Sequence, residues 1–340
     1  MESIKLISAN CCGEIGDVIV SGIKPPPGNT IFEQSRFIKK DKKLWNFLLN
    51  EPRGGVFKHV NLLVPPKNPN ADMGFIIMEP LDIPPMSGSN SICVATVLLE
   101  KNIIPITKPL MNLTLESPGG LINVKAKCEK NKVVSVTITN LPSFVVSFNK
   151  EINVKGIGKI NVTTAYGGDS FVLVRNKDIK INIEPKNAKQ IVEVCSEITK
   201  ASSLQLGFKH PNMPHLDYIS FCMLMDDIEI DSNNIKNAKN TVCIRPKKLD
   251  RSPCGTGTSA RLAYMYQNKD IKLNEKFISK SILDTNFYCY LKEEININST
   301  RAVIPVLQGQ AWITGEQTLY LDKNNPFPQG YRLTDTWPEI

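Results

Sequence analysis

The 340-residue chain is predicted to be an α+β protein in which many short strands wrap a few central helices. Three observations carry that prediction. Short β-branched or alternating segments recur along the whole sequence. Helix-compatible runs are few and well separated. Finally, Met86–Ser91 (M-S-G-S-N-S) and Pro253–Ser259 (P-C-G-T-G-T-S) read as copies of one strand–turn–helix device, set half a chain apart. The two halves are therefore expected to be pseudo-equivalent.

The elements follow in order. Ile4–Ser8 alternates like a first strand, and Phe32–Asn50 has the spacing of a helix. Val60–Val64 and Gly74–Met78 are strand-like, and the second leads into the first turn; a helix is expected over Ile92–Lys101. Leu121–Val124 and Val133–Thr139 are strands of the same half. Beyond them lie strand candidates Lys159–Thr164 and Phe171–Val174, a helix over Ala188–Lys200, and strands Ile219–Met223 and Thr241–Ile244. The last of these opens the second turn, with a helix over Thr258–Gln267 behind it. Phe287–Tyr290, Ala302–Val306 and Ala311–Thr314 complete the strands, before a Pro-rich tail. Pro25-Pro26-Pro27 and Pro118-Gly119-Gly120 punctuate the chain as turn signals. Leu141-Pro142-Ser143 is the expected boundary, with the last segment returning to the first half. The expected domains are residues 1–128 with 311–340, and residues 135–310. There is no low-complexity segment and no short-period repeat.

Composition narrows the function classes. Hydrophobic residues make up 41% and charged residues 22%, ordinary values for a globular protein with room for two cores. The formal charge of +8 is dispersed; the densest basic run, Lys39–Lys43, is broken by Asp41, and no nucleic-acid-binding motif accompanies it. A mildly positive surface is compatible with attracting small anionic substrates. No apolar run reaches the length of a membrane span, and Met1–Cys12 lacks the pattern of a signal peptide, so a cytoplasmic location is expected. Nine cysteines without C-x-x-C pairs fit a reducing compartment, and three histidines with no i, i+4 pair give a zinc site little to build on.

The chemistry is expected in the two turns. Ser87 and Cys254 hold equivalent places, each directly before a glycine that lets a backbone approach a ligand closely. Two helix N-termini facing each other would hold a carboxylate between a hydroxyl and a thiol, a geometry suited to proton transfer at the adjacent carbon. An N-capped turn accounts for the Ser87 segment equally well, since Ser-Gly-Ser-Asn is common turn chemistry. Cys254 is different: a cysteine at a helix N-terminus beside glycine is where a thiol pKa is expected to fall. Other readings of that turn lack their parts. No Gly-Lys-Ser/Thr follows for a phosphate-binding loop, and the dinucleotide spacing is missing. A cysteine hydrolase would need a partnered histidine, and His59, His210 and His215 sit in no recognisable setting.

The stretch D-R-S-P-C-G-T-G-T-S-A-R-L-A from Asp250, with P-P-M-S-G-S-N-S-I-C upstream, resembles the proline racemase family. The resemblance runs the whole length, through Asn50–Gly55 (N-E-P-R-G-G), Ala165–Ser170 (A-Y-G-G-D-S), Ala311–Gly315 (A-W-I-T-G) and Pro328–Arg332 (P-Q-G-Y-R). It implies the diaminopimelate-epimerase-like fold, two pseudo-symmetric β-barrel-like domains each around a central helix. It also implies a substrate cleft between the domains and no cofactor. Carried over, the catalytic pair is Ser87 and Cys254, with Gly88, Ser89, Asp250, Gly255 and Thr256 as substrate-binding residues. The implied partner is a small molecule, hydroxyproline or proline, rather than nucleic acid or membrane, and a homodimer is admissible. The sequence departs from the racemase pattern where the first catalytic cysteine is Ser87 and the histidine two residues on is Ser89. Both departures resemble the branch that dehydrates trans-3-hydroxy-L-proline. A further departure, Asn10 in place of the family's leading histidine, carries no assigned role. The alternatives are 4-hydroxyproline epimerase or proline racemase activity. From another class, the alternative is an amino-acid-binding protein without catalysis.

Overall fold

A computed structural model describes residues 3–322 and 324–338. The chain divides into two compact units, Met1–Ile138 with Gly309–Ile340, and Thr139–Gln308.

The first unit contains β1 (Ser3–Cys11), β2 (Glu14–Ile15), β3 (Asp17–Ser21), α1 (Ile31–Asp41), α2 (Lys43–Leu49), β4 (Val60–Val64) and β5 (Met73–Met78). It continues with α3 (Gly88–Glu100), β6 (Leu110–Ser117), β7 (Gly120–Glu129) and β8 (Lys132–Thr139). The second holds β9 (Phe144–Val154), β10 (Gly158–Tyr166), β11 (Ser170–Arg175), the single turn α4 (Asn176–Ile179), α5 (Ala188–Gln205) and β12 (Phe221–Met225). After these come β13 (Glu229–Ile230), β14 (Lys236–Ile244), β15 (Lys248–Leu249), α6 (Gly255–Gln267), β16 (Phe277–Lys280), β17 (Asn286–Ile297) and β18 (Thr300–Gly309). The last strand, β19 (Ala311–Tyr320), belongs to the first unit.

Strand pairing reveals a repeat. In the first unit β19 pairs antiparallel with β1 and β1 with β3; β3–β4 is parallel, β4–β5 antiparallel, β5–β6 parallel and β6–β7 antiparallel. In the second, β9–β10, β10–β11, β11–β12, β12–β14, β14–β16 and β16–β17 follow the same order of senses. Each parallel pair needs a crossover. Helices α1 and α2 supply the first crossover in one unit and α5 in the other; α3 and α6 supply the second. Ser87 and Cys254 thus stand at the same point of two equivalent topologies.

The helices divide by burial. Every residue of α3 from Gly88 to Leu99 is buried, and α6 is buried continuously from Gly255 to Ala263. A helix apolar all round must be enclosed, and these two form the centres that the strands wrap. By contrast α5 buries only Ile191, Cys195, Ile198 and Ser202, the stripe of a helix lying on a surface. The core of the first unit gathers Leu6, Ile19, Trp45, Leu48 and Ile76; that of the second gathers Phe144, Tyr166, Val172, Ile191 and Leu224. Each such side chain, fully buried, contributes roughly 1.5–3 kcal/mol.

Every strand expected from the sequence overlaps an observed one. Three helix expectations need correction. The segment Phe32–Asn50 is two helices, because Lys42 takes φ 58° and its amide closes α1 onto the Ile38 carbonyl. Helices α3 and α6 begin about a turn before Ile92 and Thr258, since Gly, Ser and Thr in those turns are recruited by burial against the predictions of propensity. Cys12 lies in the turn after β1, at φ 52°.

Candidate functional site

Ser87 is the N-cap of α3. Its backbone is extended (φ −146°, ψ 126°), and its carbonyl accepts the Ser91 amide and hydroxyl. Its Oγ receives the Asn90 side-chain amide at 2.9 Å and, more weakly, the Asn90 backbone N–H at 3.5 Å. Ser89 Oγ lies 3.4 Å away. Gly88, Ser89 and Asn90 are buried, while Ser87 itself is partly exposed.

Behind this turn lies a buried polar layer. Asn61 on β4 donates its Nδ2 to the Asp17 carbonyl (3.2 Å) and to Asn90 Oδ1 (2.7 Å). Asp17 Oδ2 pairs with Lys58 Nζ at 3.5 Å, and its Oδ1 accepts the Ala9 amide. His59 stands between Glu14 (3.7 Å) and Glu79 (3.8 Å). Buried charges persist only when paired, so this layer is costly to break and locks the loops around α3. Asn10 takes a local role: its Oδ1 accepts the Gly13 amide and closes the β1–β2 turn.

Cys254 is the N-cap of α6, with φ 61° and ψ 102°, an uncommon backbone for a non-glycine residue. The turn before it is built by Asp250, whose Oδ1 accepts the Ser252 amide and hydroxyl (2.8 and 2.9 Å); Ser252 Oγ in turn accepts the Cys254 amide. The sulfur receives the Gly257 N–H at 3.4 Å and lies 3.8 Å from Thr256 Oγ1. Space at Gly257 is tight, with side chains only: a Cβ there would meet the Met223 methyl at 2.7 Å, Val242 at 3.0 Å and the Cys254 sulfur at 3.1 Å.

The expectation of a lowered thiol pKa is overturned. Burial pushes the Cys254 thiol well above its ordinary value, and the neighbouring Asp250 carboxylate adds to the effect. The Gly257 amide and the Thr256 hydroxyl pull the other way and lose. A helix N-terminus lowers a thiol pKa where the charge keeps some solvation; Cys254 is only 6% exposed.

The remaining motifs serve as supports. In A-Y-G-G-D-S, Gly167 packs directly on α6, where a Cβ would fall 2.1 Å from the Thr256 carbonyl and 2.4 Å from the Ala260 nitrogen. Asn140 ties the same turn down by donating to the Gly167 carbonyl and to Ser259 Oγ. N-E-P-R-G-G and P-Q-G-Y-R clasp each other. Glu51 and Tyr331 exchange backbone hydrogen bonds, Arg332 donates to Asn50 and to the Pro80 carbonyl, and Arg53 donates to the Phe327 and Pro328 carbonyls. Sequence reasoning missed Asn61, and it quoted Asn90 and Gly167 within motifs without giving either a role. Asn90, three residues after an N-cap serine, carried the one local signal.

Of the described residues, no three His, Cys, Asp or Glu side chains are grouped to hold a metal. No described helix is long and apolar enough to cross a membrane.

Comparison with known proteins bears on the whole chain. The family model described as proline racemase matches residues 6–332. A hydroxyproline epimerase from Agrobacterium vitis, crystallised with trans-4-hydroxy-L-proline, is 34% identical with a TM-score of 0.92, over 99% of this chain and 96% of that one. A probable proline racemase from Agrobacterium radiobacter K84, with bound carbonate, is likewise 34% identical, with a TM-score of 0.91 over 98% of both chains. A phenazine biosynthesis protein of the PhzF family from Bacillus anthracis, 14% identical with a TM-score of 0.56, shares the diaminopimelate-epimerase-like fold alone. Topology, motifs and full-length matches agree: the chain belongs to the proline racemase family.

Proposed function

We propose that the protein dehydrates trans-3-hydroxy-L-proline to 1-pyrroline-2-carboxylate, with Cys254 as the acid/base and Ser87 on the other face of the α-carbon. One observation supports the reading: the Ser87 oxygen accepts from Asn90 and lies beside the Ser89 hydroxyl, so among the described residues neither hydrogen-bond partner of that oxygen is a base. Two-base racemisation needs a base on each face, and a serine hydroxyl without one is poorly suited to take a proton. Dehydration relaxes that demand. In the trans isomer the 3-hydroxyl lies opposite the carboxylate, on the same ring face as the α-hydrogen. The Cys254 thiolate takes the α-proton; the C3–O bond breaks and the same proton leaves with the hydroxyl as water, restoring the thiolate. The enamine product tautomerises to the cyclic imine.

Asp250 is assigned to the substrate ammonium, with the amides of Gly88, Ser89, Gly255 and Thr256 offered to the carboxylate. A positive charge brought to Asp250 would also offset part of what holds the Cys254 pKa up, so binding would ease ionisation of the thiol against the larger effect of burial. A second reading, 4-hydroxyproline epimerisation, is favoured by the 34% identity to an epimerase crystallised with trans-4-hydroxy-L-proline. In it Ser87 would act as a donor activated by the helix terminus.

The test is to offer purified protein trans-3-hydroxy-L-proline, trans-4-hydroxy-L-proline and L-proline separately. Polarimetry reads epimerisation, and 2-aminobenzaldehyde traps the imine. Imine from the 3-hydroxy substrate is expected. Rapid epimerisation of the 4-hydroxy substrate with no imine from the 3-hydroxy one would replace the first reading by the second. Silence on all three, with pyrrole-2-carboxylate still bound, would favour a binding protein.

A further inference from the structure

We infer that Asn90, oriented by Asn61, is a positioning residue that holds the Ser87 oxygen as a hydrogen-bond acceptor and turns its proton outward as a donor. The functional consequence rests on the role given to Ser87 above.

The Asp17 backbone carbonyl can only accept, so the Asn61 atom 3.2 Å from it is the amide nitrogen. That nitrogen also lies 2.7 Å from the Asn90 side chain, which must therefore present its oxygen. The Asn90 nitrogen is left facing Ser87 Oγ at 2.9 Å and donates to it. Turning Asn90 over would set two NH2 groups face to face at that buried contact. Both asparagines are fully buried, and no solvent-exposed surface offers them alternatives. Gly16 closes the remaining side, since a Cβ there would come within 3.0 Å of Asn90 Oδ1 and 2.8 Å of Cys93 Sγ. Asp17 is itself fixed by the Ala9 amide, by the ion pair with Lys58 and by its own N–H on the His59 carbonyl. Three links thus transmit the polarity of one strand carbonyl to the hydroxyl of the helix cap.

The consequence is one-way proton traffic at Ser87. An oxygen occupied by a donor amide offers its hydrogen, outward or to the Ser89 hydroxyl 3.4 Å away, and stabilises a developing negative charge, but the Asn90 amide cannot take a proton from it. Asn90 therefore decides that Ser87 is an acid or anchor and not a base.

The first arm of the test needs no substrate. Ser87→Cys in a Cys254→Ser background places a titratable sulfur on the Asn90 amide. Its alkylation by iodoacetamide is followed by mass spectrometry of the peptide holding residue 87 across about pH 6 to 10. Asn90→Ala and Asn61→Leu are each expected to raise the alkylation midpoint by about one unit, the loss of one good donor to a thiolate. Asn90→Asp, which keeps the size, is expected to raise it further. Unchanged midpoints in the folded variants overturn the inference. The second arm is a cycle on activity. Asn61→Leu should lower kcat about tenfold with KM little changed, and should change nothing more once Ser87→Ala is present. Equal losses in both backgrounds would mean a merely structural role. If no proline derivative turns over, the functional proposal fails while the sulfur titration still decides this one.

Discussion

At the scale of single residues, the two N-caps are unequal in a way that bears on their chemistry. The Ser87 hydroxyl is partly exposed and already bonded, whereas the Cys254 thiol is buried beside a carboxylate. Cys254→Ser is expected to cost at least about a hundredfold in kcat, the usual scale for one general base, with the melting temperature little changed. Because the thiol pKa is raised in the free enzyme, its thiolate accumulates only as pH rises above neutrality. Both kcat/KM and iodoacetamide alkylation of Cys254 should therefore climb through the alkaline range. Asp250→Asn removes a nearby negative charge but keeps an acceptor for Ser252, so the alkylation midpoint should move down. An upward move or none would show that Asp250 does not govern the thiol. Ser87→Ala should impair dehydration without abolishing it while any epimerisation disappears; abolished dehydration would count against a one-face elimination.

At the scale of elements, α3 and α6 are aimed by their surroundings more than by their own propensity. Helix α3 opens with Gly88-Ser89-Asn90-Ser91 and α6 with Gly255-Thr256-Gly257-Thr258-Ser259, poor helix formers that burial holds in place. The β10–β11 turn presses Gly167 against the first turns of α6. Gly167→Ala would drive a methyl into backbone atoms at 2.1 and 2.4 Å, neither of which can swing aside. It is expected to cost at least about 1–3 kcal/mol in urea unfolding, the range for overpacking, and to lower kcat by shifting the Cys254 turn. A variant with wild-type stability and turnover would show that the turn moves freely. Gly257→Ala meets chiefly side-chain atoms, the mobile Met223 methyl among them, so it should fold and show its effect in kcat.

At the scale of the whole chain, each unit carries its own fastening. In the first, Arg332 donates to Asn50 Oδ1 at 2.7 Å and to the Pro80 carbonyl at 3.1 Å, and its guanidinium lies 4.2 Å from the Trp337 ring. Arg332→Ala should cost about 1.5–3 kcal/mol, read by urea unfolding, the scale of hydrogen bonds from a charged group. In the second, His210 Nδ1 accepts the Asn212 and Met213 amides, and its ring packs edge-on against Tyr166. Burial, with a contribution from His215, holds its pKa at about 4. The folded value lies below the unfolded one of about 6.5, so the unfolded chain binds the proton more readily between them. Stability should be full above pH 6.5 and fall as pH drops toward 4. His210→Asn keeps an acceptor but cannot titrate, and should flatten that slope; an unchanged slope would place the dependence elsewhere.

The sequence by itself determined part of the strands, the central helices and the placing of Ser87 and Cys254 at helix starts, while β3, β6, β9 and β16 went unread. Those features are written in periodicity, caps and glycines within a few residues of one another. The long motifs also carried the family, confirmed by the match over residues 6–332. Only the tertiary structure decided the rest. The order of parallel and antiparallel pairs joins segments far apart in the chain, and no local pattern records a strand's partner. The direction of the Cys254 pKa depends on burial, a sum over every segment that packs around the sulfur, and there desolvation outweighs the helix terminus that the sequence displays. The hydrogen on Ser87 is set by Asn61, on another element, through a contact that exists only once β4 lies beside the start of α3.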